Sequence, residues 1–195
     1  MTAITFDNIL AKGIRAGQVP ARTQSARKWF RNAAQRTKIT DSKLMSEAGD
    51  RMKSQFTVGR MYFYHYDPKH KKTLPYYDTF PLIFPIGPAK GGFMGINMHY
   101  LPYTLRARLM DALYDVTNNN KFNESTKLQL SYQVLQGASK MRWFKPTLKH
   151  YLRKNVRSKF MRIEASEWDI ALFLPVHQFK KASAKKVWAD SRKMI

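Results

Sequence analysis

The sequence predicts an α+β protein: a small antiparallel β-sheet of about three strands within residues 56–98, three or four C-terminal helices packed on it, and an extended basic N-terminal arm. Three observations lead there. Between Arg60 and Arg108, aromatics, prolines and glycines crowd into extended runs. After Leu101, apolar residues recur at helical spacing. Residues 1–55 interleave Lys and Arg with Ala, Ser, Gln and Thr and carry no sustained apolar face.

This division gives a basic arm over residues 1–55 and an α+β core with basic C-terminal helices over 56–195. Within the arm, Phe6, Ile9, Leu10 and Ile14 suit a short helix ended at Gly17, and Ala26 to Arg36 suits another. Isolated helices below about 12 to 15 residues are marginal in water, so the arm is expected to order on a neighbouring subunit, with Trp29 and Phe30 as anchors.

In the core, Tyr62, Tyr64 and Tyr66 alternate with Phe63 and His65, the period-two pattern of a strand that Asp67-Pro68 ends. Phe80 to Ile86 is a second extended apolar run whose prolines cannot donate ladder hydrogen bonds, which confines it to an edge or to irregular pairing. Phe93 to Met98 is the third, joined to the second by a short glycine-containing hairpin connection. Pro102 then opens a helix carrying Leu105, Leu109, Leu113 and Val116, and a second helix over Glu124 to Lys140 has Asn123 or Ser125 as its cap.

A third helix is expected after Pro146, because Leu148, Leu152, Val156 and Phe160 fall four apart beside a parallel stripe of Lys149, Arg153 and Arg157. Between Lys140 and Ile163 there are nine basic residues and no acidic one. Lys145, Lys149, Arg153, Lys154, Arg157 and Lys159 are therefore the candidate contacts to an anionic partner; a merely solvated helix face usually mixes in Glu and Asp. Trp168 to Phe173 returns the chain to the core, and Ser183 caps a last short helix docked through Val187 and Trp188.

Charge narrows the function classes. Against 13 Asp and Glu stand 35 Lys and Arg, a net +22, distributed as 15 basic and 5 acidic in residues 1–72, 4 and 4 in 73–124, and 16 and 4 in 125–195. A neutral centre with basic ends points to nucleic acid or an acidic protein surface, since self-repulsion alone gives a free particle nothing. With no cysteine, no disulfide or thiolate metal site is available. No segment approaches eighteen uninterrupted apolar residues, so no membrane partner is expected. The five histidines lack metal-binding spacing, the acids are too scattered for a two-metal site, and Gly87 to Gly92 lacks phosphate-loop spacing, so no catalytic residue, metal, cofactor or small-molecule substrate is expected. A grouping of His70 with Asp67 and Asp78 is explained as well by a polar loop.

Tyr66-Asp-Pro-Lys-His70, Leu74-Pro-Tyr-Tyr-Asp78, Phe80-Pro81, Gly91-Gly-Phe93 and Asn97-Met-His-Tyr-Leu101 resemble a family of small virion proteins of contractile-tailed bacteriophages, notably cyanophage-type myoviruses. The similarity continues through Leu109 to Leu113 and Phe160 to Pro175. The resemblance implies a non-enzymatic structural protein of the virion that joins other subunits of the tail, baseplate or neck. The alternative is a DNA-binding phage protein, for DNA end protection or genome packaging, whose basic ends grip phosphates.

Overall fold

Residues 4–20 and 23–195 are described by a computed structural model, and they form seven α-helices and eight β-strands. Three helices come first: α1 (Thr5–Arg15), α2 (Gln24–Gln35), capped by the Thr23 side chain on the Ala26 amide, and α3 (Asp41–Ser46), capped likewise by Thr40 on Lys43. The segment expected to be an extended arm is therefore helical, and it packs on its own core. Phe6 and Ile9 of α1, Phe30 and Ala34 of α2, and Leu44 of α3 are all buried. Short helices that would fray alone are held by tertiary packing, which the weak apolar periodicity of residues 1–55 understated. Their cations find internal acids too. Arg27 donates to Asp111 at 2.6 Å, Arg31 to Asp169 at 2.7 Å, and Arg51 grips the buried Glu167 with two nitrogens.

The strands are β1 (Met52–Lys53), β2 (Met61–Phe63), β3 (Tyr77–Asp78), β4 (Leu82–Ala89), β5 (Gly92–Asn97), β6 (Leu148–Leu152), β7 (Phe160–Ile163) and β8 (Phe179–Lys180). Six of them form one antiparallel sheet in the order β1-β7-β2-β4-β5-β6, while β3 and β8 pair separately. This corrects the expected sheet of about three strands. The additional members come from outside residues 56–98, and two of them, β6 and β7, lie where a basic helix was expected. A spacing of four is two strand periods as well as about one helical turn, so Leu148 and Leu152 fit either element. The open edge of β5 decides between them: β6 pairs with it from Gly92 opposite Leu152 to Ile96 opposite Leu148. Gly92 makes this approach possible, since a Cβ there would lie 1.8 Å from the Tyr151 carbonyl oxygen.

The hairpin β4–β5 turns through Gly91, whose φ of 72° favours glycine. Pro85 and Pro88 do not confine β4 to an edge. Only Leu82 and Ile83 pair with β2, so the prolines fall in the stretch where β5 is the sole neighbour, beside a bulge between Pro85 and Gly87.

The sheet buries both faces. Met61, Phe63, Leu82, Phe84, Ile96, Met161 and Ile163 point into the helix-covered core, and Tyr62, Tyr64, Ile83, Phe93, Tyr151 and Phe160 form an aromatic cluster on the other side. Helices α4 (Tyr103–Thr117), α5 (Glu124–Lys140), α6 (Trp168–Ala171) and α7 (Ala184–Met194) complete the chain, with Asn123 capping α5 and Ser183 capping α7. Arg106 of α4 is wholly buried and donates to the carbonyls of Leu101, Leu172 and His99, with the Tyr103 and Trp188 rings over its guanidinium. Among the described residues, no helix is long and apolar enough to cross a membrane.

Candidate nucleic-acid interface

The six cations singled out in the sequence do not share a helix face. Lys145 is exposed on a 3-10 turn (Arg142–Thr147), Lys149 lies on β6, Arg153 and Lys154 form the next turn, and Arg157 and Lys159 precede β7. Lys145, Lys149, Arg153 and Lys154 lie on or beside the free edge of the sheet, because β6 is the last strand in the order, whereas Arg157 and Lys159 lead into the interior strand β7. Cations on such an edge also discourage pairing with another chain. Arg157 is partly occupied, 3.5 Å from Asp67, which Lys71 also contacts at 2.8 Å. Those two cations hold the Asp67 carboxyl below its ordinary range, the Lys71 hydrogen bond contributing most.

Lys149 differs from the other five. Its ammonium is largely desolvated and sits 3.9 Å from the centre of the Tyr100 ring; like all of the six but Arg157, it has no acidic partner among the described residues. Desolvation lowers its pKa to about 8. The side chain opens into a cleft of about 570 Å³ between β6 and the segment that leads from Tyr66 to β3. Tyrosines 66, 76, 77, 100 and 151 line it, and Lys69, His70 and His150 join Lys149 as basic or ionisable groups.

The single acid in the lining, Asp78, is already committed. Its carboxylate accepts from the amides of Phe80 and Gln178, from Asn97 Nδ2 at 3.1 Å and from His99 Nδ1 at 2.7 Å. Burial opposes its ionisation, but these hydrogen bonds, that from His99 among them, outweigh burial and lower its pKa. His99, wholly buried, is held neutral by desolvation, so Nδ1 carries the proton and donates to Asp78. The same network fixes the floor of the cleft: Asn97 Nδ2 also donates to the Tyr151 hydroxyl at 3.0 Å, and the Tyr66 hydroxyl accepts from the Leu152 amide at 3.0 Å. Fixed aromatic faces beside an unneutralised amine can stack a planar base and hold an anion.

Tyr76, Tyr77, Tyr100 and Lys69 escaped sequence reasoning as site residues, and His70 was weighed only with Asp67 and Asp78. The contact between the Tyr66–Asp78 stretch and Lys149 is made only by the fold. The interleaving of Tyr66-Asp-Pro-Lys-His with Leu74-Pro-Tyr-Tyr was the available signal. The suggested His70 grouping does not form around Asp78, whose histidine partner is His99. Among the described residues no group of His, Asp or Glu is placed to hold a metal. Phe30 is 2% exposed inside its own core, with Trp29 half-buried against it at 5.1 Å, so Phe30 offers nothing to a neighbouring subunit.

No curated protein and no solved structure matches the chain. A family model does, that of the phage T4 terminal DNA protecting protein, over residues 4–191. The match takes in the N-terminal helices, the whole sheet, the cleft and nearly all of α7, and the chain belongs to the phage T4 terminal DNA protecting protein family.

Proposed function

We propose that this protein binds the ends of phage DNA and shields them, as a binding protein without chemistry of its own. The family match over residues 4–191 carries this reading. The net charge of +22 and the cation-bearing sheet edge supply the phosphate attraction it needs, and the tyrosine cleft supplies a place for a terminus. The DNA-binding alternative is thus favoured over a joining role in tail, baseplate or neck. The test is exonuclease challenge of linear DNA labelled at its ends, with a relaxed circle of the same sequence as competitor. Protection of the ends that the circle does not abolish, on DNA whose length the protein leaves unchanged, is expected. Equal competition by the circle, or strand cleavage by the protein itself, overturns the proposal.

A second reading, contact with other virion proteins, is favoured by one observation. Between α4 and α5 an apolar groove of about 450 Å³ is lined by Leu105, Leu109, Val134 and Phe144, with Met141 55% and Trp143 51% exposed at its mouth. Arg108 lines it, and Lys140, Arg142 and Lys145 flank it; none of the four has an ion-pair partner among the described residues. That combination suits a virion-protein segment with apolar anchors and acidic flanks. Loss of the protein from purified particles on Trp143→Ser, with DNA binding retained, supports it, and unchanged incorporation refutes it.

A further inference from the structure

We propose that the tyrosine cleft holds one unpaired nucleotide at a DNA terminus, its base against the rings of Tyr76 and Tyr77 and its phosphate on Lys149. This rests on the DNA-end reading and adds to it a ligand class and a place.

Size, charge and desolvation agree. A cleft of about 570 Å³ lies within the range of small-ligand sites, roughly 300–1,000 Å³, and excludes a double helix, whose major groove alone is about 12 Å wide. A duplex can therefore reach it only by giving up a frayed or overhanging nucleotide. The charge selects an anion, because the one acid in the lining accepts four hydrogen bonds from protein groups and faces its own histidine. Lys149 has lost much of its water and gained only the face of Tyr100, at 3.9 Å. A phosphate oxygen supplies what the amine lacks, a charged acceptor in place of the water it gave up.

The aromatic part is equally specific. Tyr100 and Tyr151 form the buried back of the cleft, while Tyr76 and Tyr77 are half-buried on its outer wall, where a ring face remains available to a base. Tyr76 stands 6.2 Å from Tyr100, centre to centre, so a base on the outer wall brings its phosphate toward the lysine that Tyr100 supports. Stacking of this kind is indifferent to sequence, as a protein acting on ends of varied sequence requires.

The experiment uses the full chain and two probes. The first is a hairpin duplex closed at one end, with its open end blunt or carrying a single-nucleotide 3′ or 5′ overhang, phosphorylated or not, read by fluorescence anisotropy. At least one overhang is expected to bind ten-fold or more tightly than the blunt end, with a further gain from the terminal phosphate. Lys149→Met and Tyr76→Ala should bring that ratio close to one, and Lys149→Arg should restore most of it. The second probe is free deoxynucleoside 5′-monophosphate, titrated into protein carrying 3-fluorotyrosine and followed by fluorine NMR. Saturable shifts confined to the cleft tyrosines, lost in Lys149→Met, are expected. A wild type that binds linear DNA over circles but treats blunt and overhanging ends alike overturns this inference and leaves the DNA-end reading standing. Absence of end preference altogether overturns that reading, and a monophosphate that shifts no tyrosine then overturns the pocket independently. A phosphotyrosine or phosphoserine peptide that outcompetes the nucleotide assigns the cleft to a protein ligand and also refutes the proposal.

Discussion

Replacing Lys149 by Met separates stability from binding, because the structure says that the charge is held at a cost. Methionine keeps the unbranched apolar stem on the Tyr100 ring and removes the desolvated amine. At about 1.4 kcal/mol per tenfold change in acidity, a fall from the ordinary 10.5 to about 8 corresponds to about 3 kcal/mol of penalty. The cleft's opening to water reduces it, so a gain of about 1 to 3 kcal/mol is expected at pH 7. The pH dependence identifies the cause. A lysine whose folded pKa is depressed carries its full penalty below about 8, where both states are protonated, and sheds it as pH rises from about 8 to 10.5 and the folded state releases its proton first. The neighbouring tyrosines 66, 100 and 151 all have raised pKa values, and their titration is common to wild type and variant, so it cancels in the difference. Urea unfolding of wild type and variant at pH 7, 9 and 10.5 should show a stability difference that shrinks toward zero. A variant no more stable than wild type at pH 7, or one whose advantage does not change with pH, refutes the reasoning. The same variant should bind DNA overhangs less well, the usual opposition between stability and function at a binding site.

Three further outcomes follow from the packing. Gly13→Ala, which in an open helix stabilises by up to about 1 kcal/mol, should here cost about 1 to 3 kcal/mol in thermal or urea unfolding, since the new Cβ would lie 2.3 Å from the Phe30 ring. Glu167→Ala leaves Arg51 without its buried acceptor and removes the hydrogen bond to the Glu164 amide; a loss of about 3 kcal/mol is expected, checked by denaturant midpoint. Acid should weaken the fold between about pH 6.5 and 4. His177, lowered to about 4 mainly by desolvation, and His99, also lowered, stay neutral in the fold while the unfolded chain takes up protons, so stability falls with pH there. His177→Gln should flatten the pH profile of the melting temperature by about 1 to 2 kcal/mol equivalent, and an unchanged profile would dismiss its role.

What could be read beforehand was what local chemistry decides. Asn123 and Ser183 are caps because their side chains reach the amides of Thr126 and Lys186, a contact within one turn of chain. Phe93, in the run after the glycine-containing connection that the sequence marks as the third strand, is 1% exposed in the aromatic cluster. The failures are contacts between distant segments. Leu148 and Leu152 became a strand because β5 had an edge to offer, and Phe6 and Phe30 became core because they could dock on residues far along the chain. Of the candidate site, Lys149 was legible as part of a basic run. Its environment was not, because Tyr100 and Tyr76 reach it only once the sheet has closed. Its neighbours Lys145 and Lys154, alike in sequence, are plain solvated cations by comparison.

The place of β7 in the sheet has a consequence for how the protein is made. It lies between β1 and β2, yet Phe160 leaves the ribosome more than a hundred residues after Lys53. At roughly 5 to 20 residues per second, the N-terminal third waits on the order of 5 to 20 seconds for the strand that completes its sheet. During that interval α2 also lacks Asp169, and the apolar side of the N-terminal helices has nothing to cover it. Folding from the first residue onward is closed to this chain, and the surplus of cations on its nascent segments supplies the mutual repulsion that keeps unfinished copies apart.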